Sequence, residues 1–157
     1  MAFDSKEQRR IMGMFATGVT VASTRMESET WGMTANAVTS LSLNPPLVLL
    51  AIQNDSQSFS KFQSAGCFAL NILAREQKVI SDRFAYVGPK DFSNLNYKTA
   101  VTGSPILLDA LAWVDCQLRE VLAGGDHGIF IGEIVAGEAR QGEPLLYYQG
   151  RYATLGG

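Results

Sequence analysis

Between Ala112 and Val135 the side chains alternate with a period of two, a pattern that a pleated strand satisfies and a helix does not. From Ala112 to Leu122, Val114, Cys116 and Leu118 point one way, and Trp113, Asp115, Gln117 and Arg119 the other. Ile129 to Val135 continues the pattern, and Gly124-Gly125-Asp126-His127-Gly128 between the two segments reads as a hairpin loop. Shorter segments repeat the theme. Gly18 to Thr24 is β-branched and alternating, and the polar Met26 to Thr30 separates it from Trp31 to Asn36, which predicts a second hairpin. Leu47 to Ile52, after Pro45-Pro46, reads as a strand buried on both faces; Cys67 to Leu73 and Leu145 to Thr154 add further strands.

Helical windows are few and short. Asp4 with Glu7 three residues later has the form of a capping box, and Phe3, Ile11, Met12 and Phe15 follow at helical spacing. Phe59 and Phe62 predict a short helix closed by Gly66. Leu73, Gln77, Ile80 and Phe84 share one face of a helix from about Ala74 to Ala85, ahead of an irregular stretch at Gly88-Pro89. Many strands and few helices predict a mainly β chain, a barrel with helical decoration. No repeat, low-complexity tract or linker interrupts residues 1–157, which are expected to form one domain.

With 46% hydrophobic and 18% charged residues, 157 residues can bury roughly 68–70% of their unfolded surface without staples. The net charge is -2 and the 13 basic residues are scattered, which argues against nucleic acid or a membrane surface as a partner. Leu47 to Ile52 is the longest aliphatic stretch and is too short to span a bilayer. A polar N-terminal segment of mixed charge, with no apolar run, is unlike a signal peptide, so a cytoplasmic location is expected. Cys67 and Cys116 sit in apolar segments and read as free thiols, and the single histidine, His127, leaves too few ligands for a conventional zinc or iron site; no metal is expected.

Signatures of phosphate-binding glycine loops and of serine hydrolases are absent. What stands out is a density of small hydroxyl and amide residues: Thr34, Ala35, Asn36, Ala37, Thr39, Ser40 and Ser42, then Asn54, Ser56 and Ser58 after the next strand. Such residues can coordinate a phosphate and let a flat ring approach the backbone, yet on composition alone they are ordinary turn and strand-end residues. By the same standard His127 is an inert loop histidine, and Trp113 and Tyr147-Tyr148 are core or interface aromatics.

Six phrases in order change that reading: Phe15-Ala16-Thr17-Gly18-Val19-Thr20-Val21, Gly32-Met33-Thr34-Ala35-Asn36, Thr39 to Val48, Ser64 to Leu73, Gly125-Asp126-His127, and Pro144 to Tyr152. Together they resemble the short-chain flavin reductase family, the reductase components of two-component flavin-dependent monooxygenases. The resemblance covers essentially the whole chain.

It implies an FMN-binding split β-barrel, usually a homodimer, that uses NADH or NADPH to reduce FMN or FAD for a separate oxygenase. By motif position, Thr34 to Ser42 would hold the isoalloxazine edge, ribityl chain and phosphate, with Asn54, Ser56, Ser58 and Lys61 at the phosphate end and Phe84 near the flavin. His127 would lie on the nicotinamide side, and Tyr148 and Arg151 would border the site. The chain departs from the family pattern at Asn36-Ala37, where Ser-Phe is frequent, and at Gln149, where a basic residue is common. Hydride transfer from nicotinamide C4 to flavin N5 requires ring stacking at roughly 3–3.5 Å and little acid–base chemistry. Two other readings remain open: a flavin carrier of the same fold, and a split-barrel oxidase of a phosphorylated pyridine, for which a cluster of Arg and Lys is missing.

Overall fold

A computed structural model describes residues 2–86 and 88–156. In chain order its elements are helix α1 (Ser5–Met12), strands β1 (Thr17–Gly18), β2 (Thr20–Met26), β3 (Glu29–Ala35), β4 (Val38–Leu43) and β5 (Pro46–Gln53), helix α2 (Gln57–Ala65) and β6 (Cys67–Ile72). A 3-10 turn (Arg75–Gln77) then leads into α3 (Lys78–Ala85), followed by β7 (Tyr97–Lys98), β8 (Ile106–Leu107), β9 (Ala112–Gly124), β10 (His127–Ala139), β11 (Leu146–Tyr148) and β12 (Arg151–Ala153).

The long hairpin expected from the alternation is β9 and β10, 13 residues each, turning through Gly125 and Asp126. Gly125 takes φ 68°, a conformation that favours glycine. Register shifts between Ile131 and Gly132 and between Ile134 and Ala136 bend the hairpin, as bulges do. It lies at the centre of a seven-stranded antiparallel sheet ordered β3-β2-β6-β9-β10-β5-β4. β3 and β4 are consecutive in sequence yet occupy opposite edges of that sheet. Only Asn36 and Ala37 join them, so the sheet must curl until its two edges approach at that link, and it forms a barrel that stays split between β3 and β4. At the seam the Ala51 N–H donates to the Ala37 carbonyl at 3.0 Å.

Helix α2 packs against β2, β3, β5 and β6. Its ends are set locally: Ser56 Oγ accepts from the Phe59 N–H, and Gly66 at φ 69° terminates the helix. Phe59 meets Phe130 edge-on at 5.1 Å, and Phe62 lies 6.3 Å from Phe68. With Leu50 and Ile52, fully buried, they form the barrel core, where each large side chain contributes about 1.5–3 kcal/mol. A second cluster of Val19, Val21, Leu73, Phe84, Phe92 and Leu145 ties α3 and the β11–β12 hairpin to the outside of β2.

Three local expectations need correction. Asp4 does cap α1, but its carboxylate accepts from the Lys6 N–H at 3.2 Å and the Glu7 carboxylate pairs with Arg10 at 2.6 Å, so no reciprocal box forms. A charged guanidinium one turn away outcompetes the N-cap backbone for Glu7. Two strands are buried on both faces: β2, with Ala22 in one cluster and Val21 in the other, and β6, buried from Phe68 to Asn71; β5 buries only Val48, Leu50 and Ile52 fully, because no element of the chain covers its other face completely. The helix expected from Ala74 begins as a 3-10 turn, fastened where the Gln77 side-chain oxygen accepts from the Ala74 N–H at 2.8 Å. No helix among the described residues is long and apolar enough to cross a membrane.

Candidate functional site

The seam that closes the barrel also opens a groove. β3 ends at Ala35 and α3 runs alongside it, with the Thr34 hydroxyl donating to the Ser81 carbonyl at 2.7 Å. Thr34 and Ala85 form a shared wall between two cavities, of about 190 and about 490 Å³. The smaller is lined by Val19, Ala35, Asn36, Ser81, Tyr147 and Tyr152, and the larger by Met33, Gln53, Ser56, Ser58, Phe84 and Lys90. A third cavity of about 500 Å³ continues past Asn36 and Tyr147 toward Ala37, Thr17 and α1. Such volumes suit a nucleotide-sized ligand.

One side of the smaller cavity is a tyrosine network. Tyr147 and Tyr152 are cross-strand partners in the β11–β12 hairpin, with ring centroids 5.7 Å apart. The Tyr152 hydroxyl lies 2.7 Å from Ser81 Oγ and donates to the Asp82 carboxylate at 2.8 Å. Burial, with Asp82 adding to it against the Ser81 bond, pushes the Tyr152 phenol up to about 12. The phenol is therefore a proton-bearing donor at any physiological pH.

The larger cavity is furnished by α2 and the segment after α3. Ser58 Oγ accepts from Trp31 Nε1 at 2.9 Å, and Ser56 Oγ donates to the Gln53 carbonyl at 2.9 Å while capping α2. The Lys90 ammonium donates to the Phe84 and Tyr86 carbonyls at 2.6 and 3.2 Å, the end of α3, and its pKa is lowered by burial. Lys61 forms an ion pair with Glu29 at 2.8 Å and lies 4.6 Å from the centre of the Trp31 ring.

The groove thus gathers Thr34, Ala35, Asn36, Ala37, Ser56, Ser58 and Phe84 from the residues singled out in the sequence. Phe84 is almost fully buried against Phe92, at 4.9 Å, and only borders the larger cavity. Thr39, Ser40 and Ser42 run along edge strand β4, paired with β5. Asn54 donates its side-chain N–H to the Gly125 carbonyl at 3.1 Å, and its backbone N–H to the Asp126 carbonyl at 2.9 Å. Tyr148 and Arg151 pair at the tip of the hairpin, one position from Tyr147 and Tyr152, which line the groove. Sequence reasoning missed Tyr147, Tyr152, Ser81 and Lys90. For Tyr147 a signal existed: it shares strand parity with Leu145, which is 2% exposed.

His127 opens β10 and is the register partner of Gln53, a wall residue of the larger cavity. Its Nδ1 lies 2.7 Å from the Asp126 carboxylate, whose pKa that hydrogen bond lowers. The Cys116 thiol is pushed up to about 12, chiefly by burial with neighbouring Asp115 adding, which makes it inert as a nucleophile. Among the described residues no group of three or more His, Cys, Asp or Glu side chains could hold a metal ion.

A mainly β barrel of this topology, with an aromatic and hydroxyl-lined groove at its seam, is a split barrel. The chain belongs to the flavin reductase like domain family, whose model matches residues 12–156. It is 37% identical over 155 residues to the reductase subunit HsaB of a flavin-dependent monooxygenase from Rhodococcus jostii, covering 98% of this chain and 80% of that protein. It is 37% identical over 153 residues to a flavin reductase from Pseudomonas putida, covering 96% of this chain and 90% of that protein. The flavin reductase PheA2 superposes with a TM-score of 0.92 at 39% identity, over 99% of this chain and 100% of that one. The NADH:FAD oxidoreductase SgcE6 of Streptomyces globisporus, in complex with NAD and FAD fragments, superposes with a TM-score of 0.89 at 32% identity, over 98% of this chain and 95% of that one.

Proposed function

We propose that the protein is an NAD(P)H-dependent flavin reductase that reduces FMN or FAD and supplies the reduced flavin to a separate flavin-dependent oxygenase. The observation that carries this reading is the near full-length likeness to an oxidoreductase seen with fragments of both NAD and FAD. The groove fits such a ligand. Ala35, Ala37 and Ala85 keep its walls low for a flat ring, Asn36 brings both donor and acceptor, and Thr17 Oγ1, buried without a hydrogen-bond partner, borders the third cavity.

Bound flavin would supply the hydride acceptor. The residues of this chain align and solvate. Thr34 to Ala37 hold the ring edge at the seam, with Tyr147 beside them. Ser56 and Ser58 receive the ribityl and phosphate end, and Lys90, partly buried, offers that end a positive charge. Thr39, Ser40, Ser42, Lys61, Tyr148 and Arg151 complete this set on the family pattern. His127, at the rim beside Gln53, orients the nicotinamide. No side chain is required to move a proton.

The protein acts as a homodimer. Support comes from apolar surface that the chain leaves uncovered: α1 buries none of its residues, Phe15 is 71% exposed, and Leu43 on edge strand β4 is 90% exposed. We further read the chain as one flavin reductase-like domain that works in the cytoplasm, where its unpaired Cys67 and Cys116 stay reduced.

The test is His127→Ala. It should lower kcat/KM for NAD(P)H by about 10- to 100-fold while flavin affinity stays within about twofold. Normal NAD(P)H kinetics in the variant would remove His127 from the nicotinamide side, whereas absence of NAD(P)H turnover in the wild type would favour a flavin carrier of the same fold.

A further inference from the structure

His127 is held by its neighbours in a way that fixes more than its position. The β9–β10 turn is tied down from β5 by two bonds: the Asn54 N–H to the Asp126 carbonyl at 2.9 Å and the Asn54 side chain to the Gly125 carbonyl at 3.1 Å. On this fastened turn the Asp126 carboxylate reaches His127 Nδ1 at 2.7 Å. An ionised carboxylate can only accept, so in the neutral imidazole the proton sits on Nδ1 and Nε2 presents a lone pair. The strands on either side of His127 place Gln53 and Gly124 opposite it, neither of which carries a charge that would compete for the ring. The pair is exposed, with side chains 42% and 87% accessible, so it adds little to stability. What it does set is which ring nitrogen donates and which accepts.

Resting on the reading that His127 meets the nicotinamide, we infer that Asp126 is a specificity-determining positioning residue: it keeps the His127 proton on Nδ1, so that Nε2 accepts a hydrogen bond from the carboxamide N–H of the reduced nicotinamide. An acceptor at Nε2 selects a carboxamide, which can donate, over an acetyl group in the same place, which cannot. Asp126→Asn lifts this constraint, because an asparagine amide can donate to Nδ1 as well as accept from it, which lets the ring proton move to Nε2.

The chain has a single histidine, so its labelled imidazole can be followed without assignment. In nitrogen-15 spectra at a pH where the ring is neutral, the wild type should show the Nδ1–H tautomer and Asp126→Asn mainly the Nε2–H tautomer. In steady-state kinetics with NADH and its reduced 3-acetylpyridine analogue, Asp126→Asn should raise KM for NADH about 3- to 10-fold, with flavin affinity unchanged. The wild-type preference for NADH over the acetyl analogue should shrink by a similar factor or more. An Nε2–H tautomer in the wild type would overturn the inference, as would an unchanged preference in Asp126→Asn when His127→Ala abolishes it. Wild-type NADH kinetics in His127→Ala would instead remove the underlying nicotinamide reading, whatever the tautomer.

Discussion

Asn54 was placed with the phosphate-binding residues by its position in the chain, and in the structure its amide is spent on the Gly125 carbonyl. We expect its main service to be to the turn. Asn54→Ala should therefore leave the dissociation constants of FMN and riboflavin each within about twofold of wild type in a fluorescence titration, while losing one neutral hydrogen bond, about 1 kcal/mol of stability. A selective loss of FMN affinity would return Asn54 to the phosphate. The sequence leaves this choice open for a physical reason: an asparagine after a strand suits a ligand and a turn equally, and it is the register of β5 against β10, Gln53 opposite His127, that brings Asn54 to the turn. Tyr147 and Tyr148 show the same limit. Adjacent strand residues face opposite ways, so a one-residue difference in parity moves a side chain from the groove to the outside.

Asp115 illustrates how an element depends on what covers it. The alternation along β9 put Asp115 on the polar side with Gln117 and Arg119, yet it is fully buried under the segment leading to β8. Its carboxylate accepts from the Val101 and Thr102 N–H groups at 2.8 and 2.9 Å and from the Thr102 hydroxyl at 2.6 Å. Asp115→Ala would strand two backbone donors and release that segment from the sheet, a loss of about 3–5 kcal/mol that urea unfolding should report as a lowered midpoint. A loss below about 1 kcal/mol would mean that water satisfies those donors. Strand positions, the α2 boundaries at Ser56 and Gly66, and the long hairpin were legible because period, cap and turn signals agree there. Which strands are covered on both faces was not. That depends on where α3, the β11–β12 hairpin and the segment through β8 fold back, and they cover β2 and β6.

At the scale of the whole molecule, closure of the barrel through Asn36 and Ala37 makes the groove, and it leaves β4 as an edge whose outward side chains include Leu41 and Leu43. Light scattering should give the mass of two chains, and Leu43→Asp should shift the population toward one; a monomer with full activity would remove the dimer from the account. The resemblance of six phrases carried the fold class, because a family pattern samples positions along the entire chain. The walls of the groove were only half legible, since Ser81, Lys90, Tyr147 and Tyr152 come together through packing that no local pattern announces. The central claim is that the protein turns over NAD(P)H and does not merely carry flavin. The direct measurement is aerobic oxidation of NADH and of NADPH with FMN or FAD held at a small fraction of the nucleotide concentration, dissolved oxygen reoxidising the flavin between turnovers. A reductase gives many turnovers per protein with at least one pairing; consumption that stops at one equivalent of flavin for every pairing would leave a carrier.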